Sequence, residues 1–90
     1  MKKIEHKVKV KNASGLHARP AATISKLLQG SKSKVSIFYN KKMADARSLM
    51  SILMLAIQKN SVITLVVEGD DAEETLAKLI AAFDSRFGES

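Results

Sequence analysis

The stretch NASGLHARPAATISKLLQG, residues 12–30, predicts a turn followed by a helix, and the other predicted elements are placed relative to this helix. Residues 12–15 predict a turn, and Pro20 suits the first turn of a helix, where its missing N–H is no loss. Gly30 is expected to end that helix in the left-handed conformation. Apolar residues recur at helical spacing between these ends, at Ala21, Ile24, Leu27 and Leu28. A helix with one apolar stripe must pack that stripe against a second layer.

Strands are predicted on both sides of this helix. Residues 4–11 alternate between apolar and charged, which predicts a strand with one solvent-exposed, lysine-rich face. Residues 34–39 predict a second strand, and residues 43–45 a short third strand after a turn at Asn40. Residues 62–68 are almost continuously apolar, which indicates a central strand of the sheet.

Two more helices complete the pattern. Ser48 is a good N-cap for a short helix over residues 49–56. Glu74 follows Asp71 by three residues, so the start of the last helix resembles a capping box with Asp in place of Ser or Thr. The predicted order is β-α-β-β-α-β-α. We therefore expect the α+β class, an open-faced sandwich with a four-stranded antiparallel sheet and three helices on one face.

Composition narrows the class of protein. Ninety residues predict a single domain, residues 1–90, near the small end of what folds alone. There is no cysteine, which excludes a disulfide framework and thiolate metal sites and suits a cytoplasmic location. No apolar run reaches membrane-spanning length, the N-terminus has no continuous signal-peptide core, and no metal-ligand spacing occurs. We expect no membrane insertion, no metal and no cofactor.

Charge is distributed unevenly along the chain. Residues 1–59 contain 13 Lys/Arg and 2 Asp/Glu, whereas residues 60–90 contain 2 and 7. A basic half suggests an anionic partner, which could be a nucleic acid, an acidic protein surface or a phosphorylated group. The alternative is that the lysines only keep the edges of the sheet soluble.

His17 lies at the predicted start of the first helix, between Gly15 and Pro20. Backbone N–H groups at a helix start lack internal partners, and the helix dipole adds partial positive charge, so anions bind there readily. A neutral imidazole nitrogen at that place can attack phosphorus as a nucleophile. Arg19 adds a planar cation suited to phosphate oxygens. A lone histidine at a helix start is more often an ordinary surface residue, but this combination predicts a phosphoryl site.

The motif at residues 15–21, GLHARPA, resembles the active-site motif of the HPr family, the histidine-containing phosphocarriers of the bacterial phosphoenolpyruvate-dependent phosphotransferase system. A second motif, Ser48-Leu49-Met50, falls at the family's spacing from the histidine, and the resemblance covers nearly the whole chain. Other stretches look more like the nitrogen-related branch of the family than the sugar-transport branch. The resemblance implies a carrier with the HPr fold rather than an autonomous enzyme.

The resemblance also implies roles for individual residues. His17 would accept the phosphoryl group on Nδ1 from Enzyme I and pass it to EIIA-type proteins, and Arg19 would stabilise that group. Ser48 would be the regulatory serine that HPr kinase phosphorylates. Apolar docking on partners would involve Ala18, Leu49, Met50 and Leu53. A monomer that binds no nucleic acid is expected.

Other interpretations remain open at the level of the sequence. Ser48 is often no more than a helix cap in such a position, and only the family resemblance favours a regulatory role. A small basic α+β module that binds nucleic acid is the main alternative, although the strands lack the aromatic pairs that stack bases. A ligand-binding regulatory domain is a third possibility, and an enzyme acting by itself is the least favoured.

Overall fold

A computed structural model describes residues 2–89. Within this range the chain forms four strands and three α-helices. In chain order these are β1 (Lys2–Lys9), α1 (Ala18–Leu27), β2 (Lys34–Tyr39), β3 (Lys42–Asp45), α2 (Leu49–Met54), β4 (Val62–Gly69) and α3 (Ala72–Asp84). Short 3-10 turns follow α1 at Leu28–Gly30 and α3 at Arg86–Gly88. The predicted order of elements is confirmed.

The four strands form one antiparallel sheet in the order β1-β4-β2-β3. β4 pairs with β1 on one side and with β2 on the other, so that Val66 lies opposite both Glu5 and Ser36. The prediction that the apolar run of β4 forms a central strand is confirmed. A strand with neighbours on both sides has no exposed edge, which explains why it needs few charged residues.

The helices cover one face of the sheet, as predicted for the α+β class. Strand residues on that face, among them Val35, Ile37 and Leu65, are buried with at most 1% exposure and join a single apolar cluster with the helices. Helix residues contributing to the cluster include Ile24, Leu28, Ile52, Leu76, Leu79 and Phe83. The core is therefore almost wholly aliphatic, in keeping with the composition.

The opposite face of the sheet is open to solvent. Lys3, Lys7 and Lys9 of β1 lie there as predicted, and Lys3 pairs with Glu68 of the neighbouring strand at 3.6 Å. Lys2 has the opposite orientation and pairs with Glu73 of α3 on the helix side. Phe38 and Met43, opposite each other on β2 and β3, are 43% and 58% exposed on the same face. Because Glu5 and Glu68 lie among the lysines, this face is of mixed charge rather than uniformly basic.

Several predicted boundaries differ from the structure by one or two residues. β1 ends at Lys9 rather than at residue 11, although Val10 still accepts a 2.7 Å hydrogen bond from the Asn60 N–H. α2 ends at Met54 rather than at Ala56, because Ala56 has a φ of 53° that no helix tolerates. The changed boundaries leave the apolar side chains of β1 and α2, such as Val8 and Ile52, directed at the core.

The predicted left-handed end of α1 at Gly30 is wrong. Gly30 is not among the residues with positive φ and instead closes a 3-10 turn. The guanidinium of Arg47, from the segment before α2, donates to the Leu28 carbonyl at 2.7 Å and to the Ser31 carbonyl at 2.7 Å. Since a distant side chain satisfies the carbonyls at the helix end, no left-handed glycine is required there.

The predicted capping box at α3 is also wrong. Asp71 occupies the N-cap position, but its side chain makes no cap hydrogen bond. Its carboxylate instead accepts from the Lys32 N–H at 2.9 Å and from the Ser33 hydroxyl, and so joins the start of α3 to the start of β2. The Lys32 N–H, followed by the Ser33 hydroxyl, holds the pKa of Asp71 below its ordinary value of 3.8.

This junction should give the protein an acid-sensitive component of stability. A carboxyl group whose pKa is lowered by folding contributes stability above its ordinary pKa and loses that contribution as the pH falls through the lowered value. We expect Asp71→Asn to lower the free energy of unfolding at pH 7, and the difference from the wild type to shrink below about pH 4. Urea unfolding at both pH values measures this, with the exposed neighbour Asp70→Asn as control. A deficit independent of pH would contradict the assignment.

Candidate functional site

His17 is the N-cap residue of α1, as predicted. Its backbone is extended, with φ −78° and ψ −168°, and its carbonyl accepts the first helical hydrogen bond from the Ala21 N–H at 3.0 Å. The His17 side chain does not cap the helix. The ring is therefore not bound to the helix backbone, and it lies beside the positive end of a ten-residue helix, where an anion is favoured.

The turn before His17 is held against the segment that follows α2. Gly15 has a φ of 65°, and a side chain there would meet the backbone of Ile57 and Gln58. Leu16 is buried and donates to the Ile57 carbonyl at 3.0 Å. This close approach sets the position from which the His17 ring projects.

The His17 ring contacts the C-terminal segment. Its Nε2 lies 2.9 Å from one carboxylate oxygen of Glu89, and the Asn12 side-chain amide lies 3.2 Å from the other. The Asn12 amide also donates to the Gly15 carbonyl within the turn. The His17 side chain is 39% exposed and that of Glu89 only 15%. The ring is thus fixed on its Nε2 side and accessible elsewhere.

Sequence reasoning missed both Asn12 and Glu89 as neighbours of His17. Asn12 was assigned only to the turn, where its potential for a hydrogen bond to nearby backbone was a usable signal. Glu89 is 72 residues from His17, and no pattern in the sequence connects the two. This contact exists only because the tail after α3 turns back over the start of α1.

Arg19 lies in the first turn of α1, two residues after His17, and is exposed. Within residues 2–89 its guanidinium makes no hydrogen bond or ion pair. The group is therefore available at the helix start, while its predicted contact with a phosphoryl group stays a prediction.

Ser48 caps α2, as predicted. Its hydroxyl accepts from the Ser51 N–H at 3.2 Å, and its backbone is extended, with φ −100° and ψ 108°. The preceding Arg47 has its guanidinium committed to carbonyls at the end of α1 and before β2. Ser48 is half-buried, so its hydroxyl combines a structural contact with partial access to solvent.

The predicted docking residues divide into two groups. Ala18, Leu49 and Met50 are exposed, with Met50 at 65%. Leu53 is half-buried and packs against the core. Met54, outside the predicted set, is 75% exposed and extends the apolar surface to the end of α2. α2 packs beside α1, with the Ser25 hydroxyl donating to the Ala46 carbonyl at 3.3 Å, so this surface is next to the helix that begins at His17.

The geometry of residues 2–89 bears on two features, clusters of acidic and histidine side chains and long apolar helices. These residues contain no group of three or more His, Cys, Asp or Glu side chains placed to hold a metal ion. None of the described helices has both the length and the apolar character needed to cross a membrane.

Comparison with known proteins identifies relatives along nearly the whole chain. A family model described as "PTS HPr component phosphorylation site" matches residues 4–85. The chain is 44% identical over 80 residues to the phosphocarrier protein HPr of Chlamydia muridarum, which covers 89% of this chain and 77% of that protein. It is 34% identical over 90 residues to the phosphocarrier protein NPr of Shewanella violacea, which covers 100% of this chain and 99% of that protein.

A solved structure shows the same architecture. The fold matches the crystal structure of HPr-C-His from Thermoanaerobacter tengcongensis with a TM-score of 0.90 and 36% sequence identity, covering 100% of this chain and 99% of that chain. The agreement includes the sheet and the helices that position His17. With a family model over most of its length, relatives in two branches and a matching structure, the chain belongs to the HPr family of phosphocarrier proteins of the phosphotransferase system.

Proposed function

We propose that His17 carries the phosphoryl group, accepting it from Enzyme I and passing it to EIIA-type proteins. The observation that supports this most strongly is the position of the His17 ring, partly exposed at the N-cap of α1 and not used as a cap. Incoming phosphoryl oxygens would meet the unpaired N–H groups of the first helical turn, and Arg19 would add a cation there.

Partner proteins would dock on the exposed apolar surface of α2 together with Ala18. Leu49 and Met50 lie at the start of α2, which packs beside α1. An exposed apolar patch next to a reactive group is typical of a protein-binding surface, and methionine adapts to more than one partner. Leu53 would support this surface from below rather than contribute much contact area.

The direct test uses the unmodified protein. We would incubate it with phosphoenolpyruvate and Enzyme I and measure intact mass before and after brief acid treatment. One added phosphoryl group that is lost in acid supports a phosphohistidine, and its disappearance on addition of an EIIA-type protein supports transfer. Absence of any added group with an active Enzyme I would contradict the proposal.

Ser48 would be a regulatory site that HPr kinase phosphorylates. A phosphate there adds a charge of roughly −2 at the start of α2, where negative charge is tolerated by the helix. The same charge would lie at the edge of the apolar docking surface and oppose binding of an apolar or acidic partner. Regulation would then act at the interface without refolding.

Two substitutions of Ser48 separate capping from regulation. Ser48→Ala removes the hydrogen bond from the Ser51 N–H and should lower stability by about 1 kcal/mol with little effect on phosphoryl transfer. Ser48→Asp keeps a capping oxygen but adds charge, so it should preserve stability and slow transfer on the order of tenfold. Urea unfolding and the rate of phosphorylation by Enzyme I measure the two effects. Equal transfer rates in both variants would remove the regulatory role.

We also propose a cytoplasmic monomer, because soluble partners must reach both His17 and α2. Light scattering at micromolar concentration tests the monomer.

The nucleic-acid alternative is not supported by the open sheet face, where Lys3 is paired with Glu68.

A further inference from the structure

The C-terminal tail has a backbone conformation that returns it to the phosphoryl site. Arg86, Phe87 and Gly88 have φ angles of 55°, 54° and 76°, three successive left-handed residues after the end of α3. The Phe87 ring packs edge-on against Phe83, with centroids 4.9 Å apart. Left-handed φ is costly for arginine and phenylalanine, so contacts further along the tail must compensate for it.

Those contacts are made by the Glu89 carboxylate. One of its oxygens faces His17 Nε2 at 2.9 Å and the other faces the Asn12 amide at 3.2 Å. Since an ionised carboxylate can only accept hydrogen bonds, the close contact requires the hydrogen of the His17 ring to reside on Nε2. In the neutral ring the lone pair then lies on Nδ1, which has no hydrogen-bond partner within residues 2–89.

We propose that Glu89 is a positioning residue for phosphoryl transfer, which orients the His17 ring through Nε2 and leaves Nδ1 as the attacking atom. This inference rests on the proposed function of His17. Asn12 would hold the carboxylate in place, in the way that a third group orients the base in other nucleophilic sites.

The transfer step balances without a further reactant. The Nδ1 lone pair forms a bond to the phosphorus of a donor phosphohistidine, and the donor nitrogen–phosphorus bond breaks with its electron pair returning to the donor ring. The His17 ring then carries a phosphoryl group on Nδ1, a hydrogen on Nε2 and a positive charge. The Glu89 carboxylate lies against that charge and stabilises the phosphorylated ring relative to a site without it. In the onward step the acceptor's nucleophile attacks phosphorus, and the bonding pair returns to Nδ1.

Two variants of Glu89 separate charge from hydrogen bonding. Glu89→Gln keeps an oxygen that can accept from Nε2 but loses the negative charge, whereas Glu89→Ala loses both. We expect phosphorylation by Enzyme I to slow by on the order of tenfold to a hundredfold in Glu89→Ala, and by less in Glu89→Gln. Asp84→Asn is the matched control, because it removes one exposed negative charge from the end of α3 without touching the ring.

A spectroscopic readout distinguishes positioning from anchoring of the tail. Nitrogen-15 NMR of the imidazole reports which ring nitrogen carries the hydrogen, and the exposed His6 ring on β1 serves as an internal reference. We expect the His17 nitrogens to shift in Glu89→Ala while those of His6 stay unchanged. Slower transfer together with this shift supports the proposal.

The other outcomes overturn it in distinguishable ways. If the wild type is phosphorylated and Glu89→Ala matches its rate, Glu89 has no positioning role although the proposed function stands. If His17 signals do not change in Glu89→Ala, the contact with Nε2 is absent in solution and the proposal falls. If the wild type gains no phosphoryl group, the proposed function fails and this inference fails with it.

Discussion

Replacing His17 with alanine should abolish phosphorylation by phosphoenolpyruvate and Enzyme I. His17 is the N-cap residue of α1, and its backbone carbonyl, not its side chain, accepts the first helical hydrogen bond. The helix should therefore survive the substitution. No other nitrogen nucleophile lies at the start of α1 in the described chain, since the guanidinium of Arg19 is a hydrogen-bond donor with no nucleophilic lone pair. Intact mass should therefore show no acid-labile group on the variant.

His6→Ala provides the matched control for this experiment. It removes the only other histidine, which is exposed on β1 and is paired across the sheet with Leu65. We expect this variant to accept one phosphoryl group at the wild-type rate. Retention of the group in His17→Ala, or its loss in His6→Ala, would place the carrier residue elsewhere.

Replacing Gly15 with alanine should have the largest effect on stability. The residue has a φ of 65°, and an added Cβ would collide with the Ile57 carbonyl and approach the Gln58 Cα to 2.8 Å. A left-handed alanine costs about 1–2 kcal/mol and forced overpacking about 1–3 kcal/mol. We therefore expect a loss of about 2–5 kcal/mol, a large part of the stability of a small domain. Urea unfolding measures it.

Gly30→Ala is the matched control for Gly15→Ala. Gly30 has no positive φ, and a Cβ there would meet nothing within 4 Å. Its stability should equal that of the wild type or exceed it by up to about 1 kcal/mol, because alanine reduces the freedom of the unfolded chain. Any Gly15→Ala protein that remains folded should also transfer phosphoryl groups more slowly, since the turn before His17 is displaced. A loss of stability below about 0.5 kcal/mol would show that the turn relaxes around the new methyl group.

The pattern of the sequence was sufficient to predict the strands and helices and to place His17 and Ser48 at helix starts. Alternation along β1, the apolar run of β4 and the helical stripe beginning at Ala21 each have a period that depends only on local geometry. The N-cap positions of His17 and Ser48 followed in the same way, because capping is decided within four residues. Docking residues were harder to assign, since apolar residues surround nearly all of α2 and only packing decides which of them face the core.

Two predictions about helix ends failed, and in each a polar group that could have bonded locally bonds to a distant segment instead. Gly30 was expected to end α1, but Arg47 reached the helix end from another segment. Asp71 was expected to cap its own helix, but it bound the Lys32 N–H and the Ser33 hydroxyl. In both cases hydrogen bonds to a residue distant in the sequence replace the hydrogen bonds expected within the helix end itself.

By itself, the sequence determined the order of strands and helices, the sheet face that would be buried, and the placement of His17, Arg19 and Ser48 at helix starts. These follow from residue spacing, which acts over a few residues at a time. Only the tertiary structure decided what surrounds the His17 ring. Glu89 reaches Nε2 because three left-handed residues turn the tail back and Phe87 packs on Phe83. This contact joins residues 72 positions apart in the chain, and no local sequence pattern encodes such a pairing.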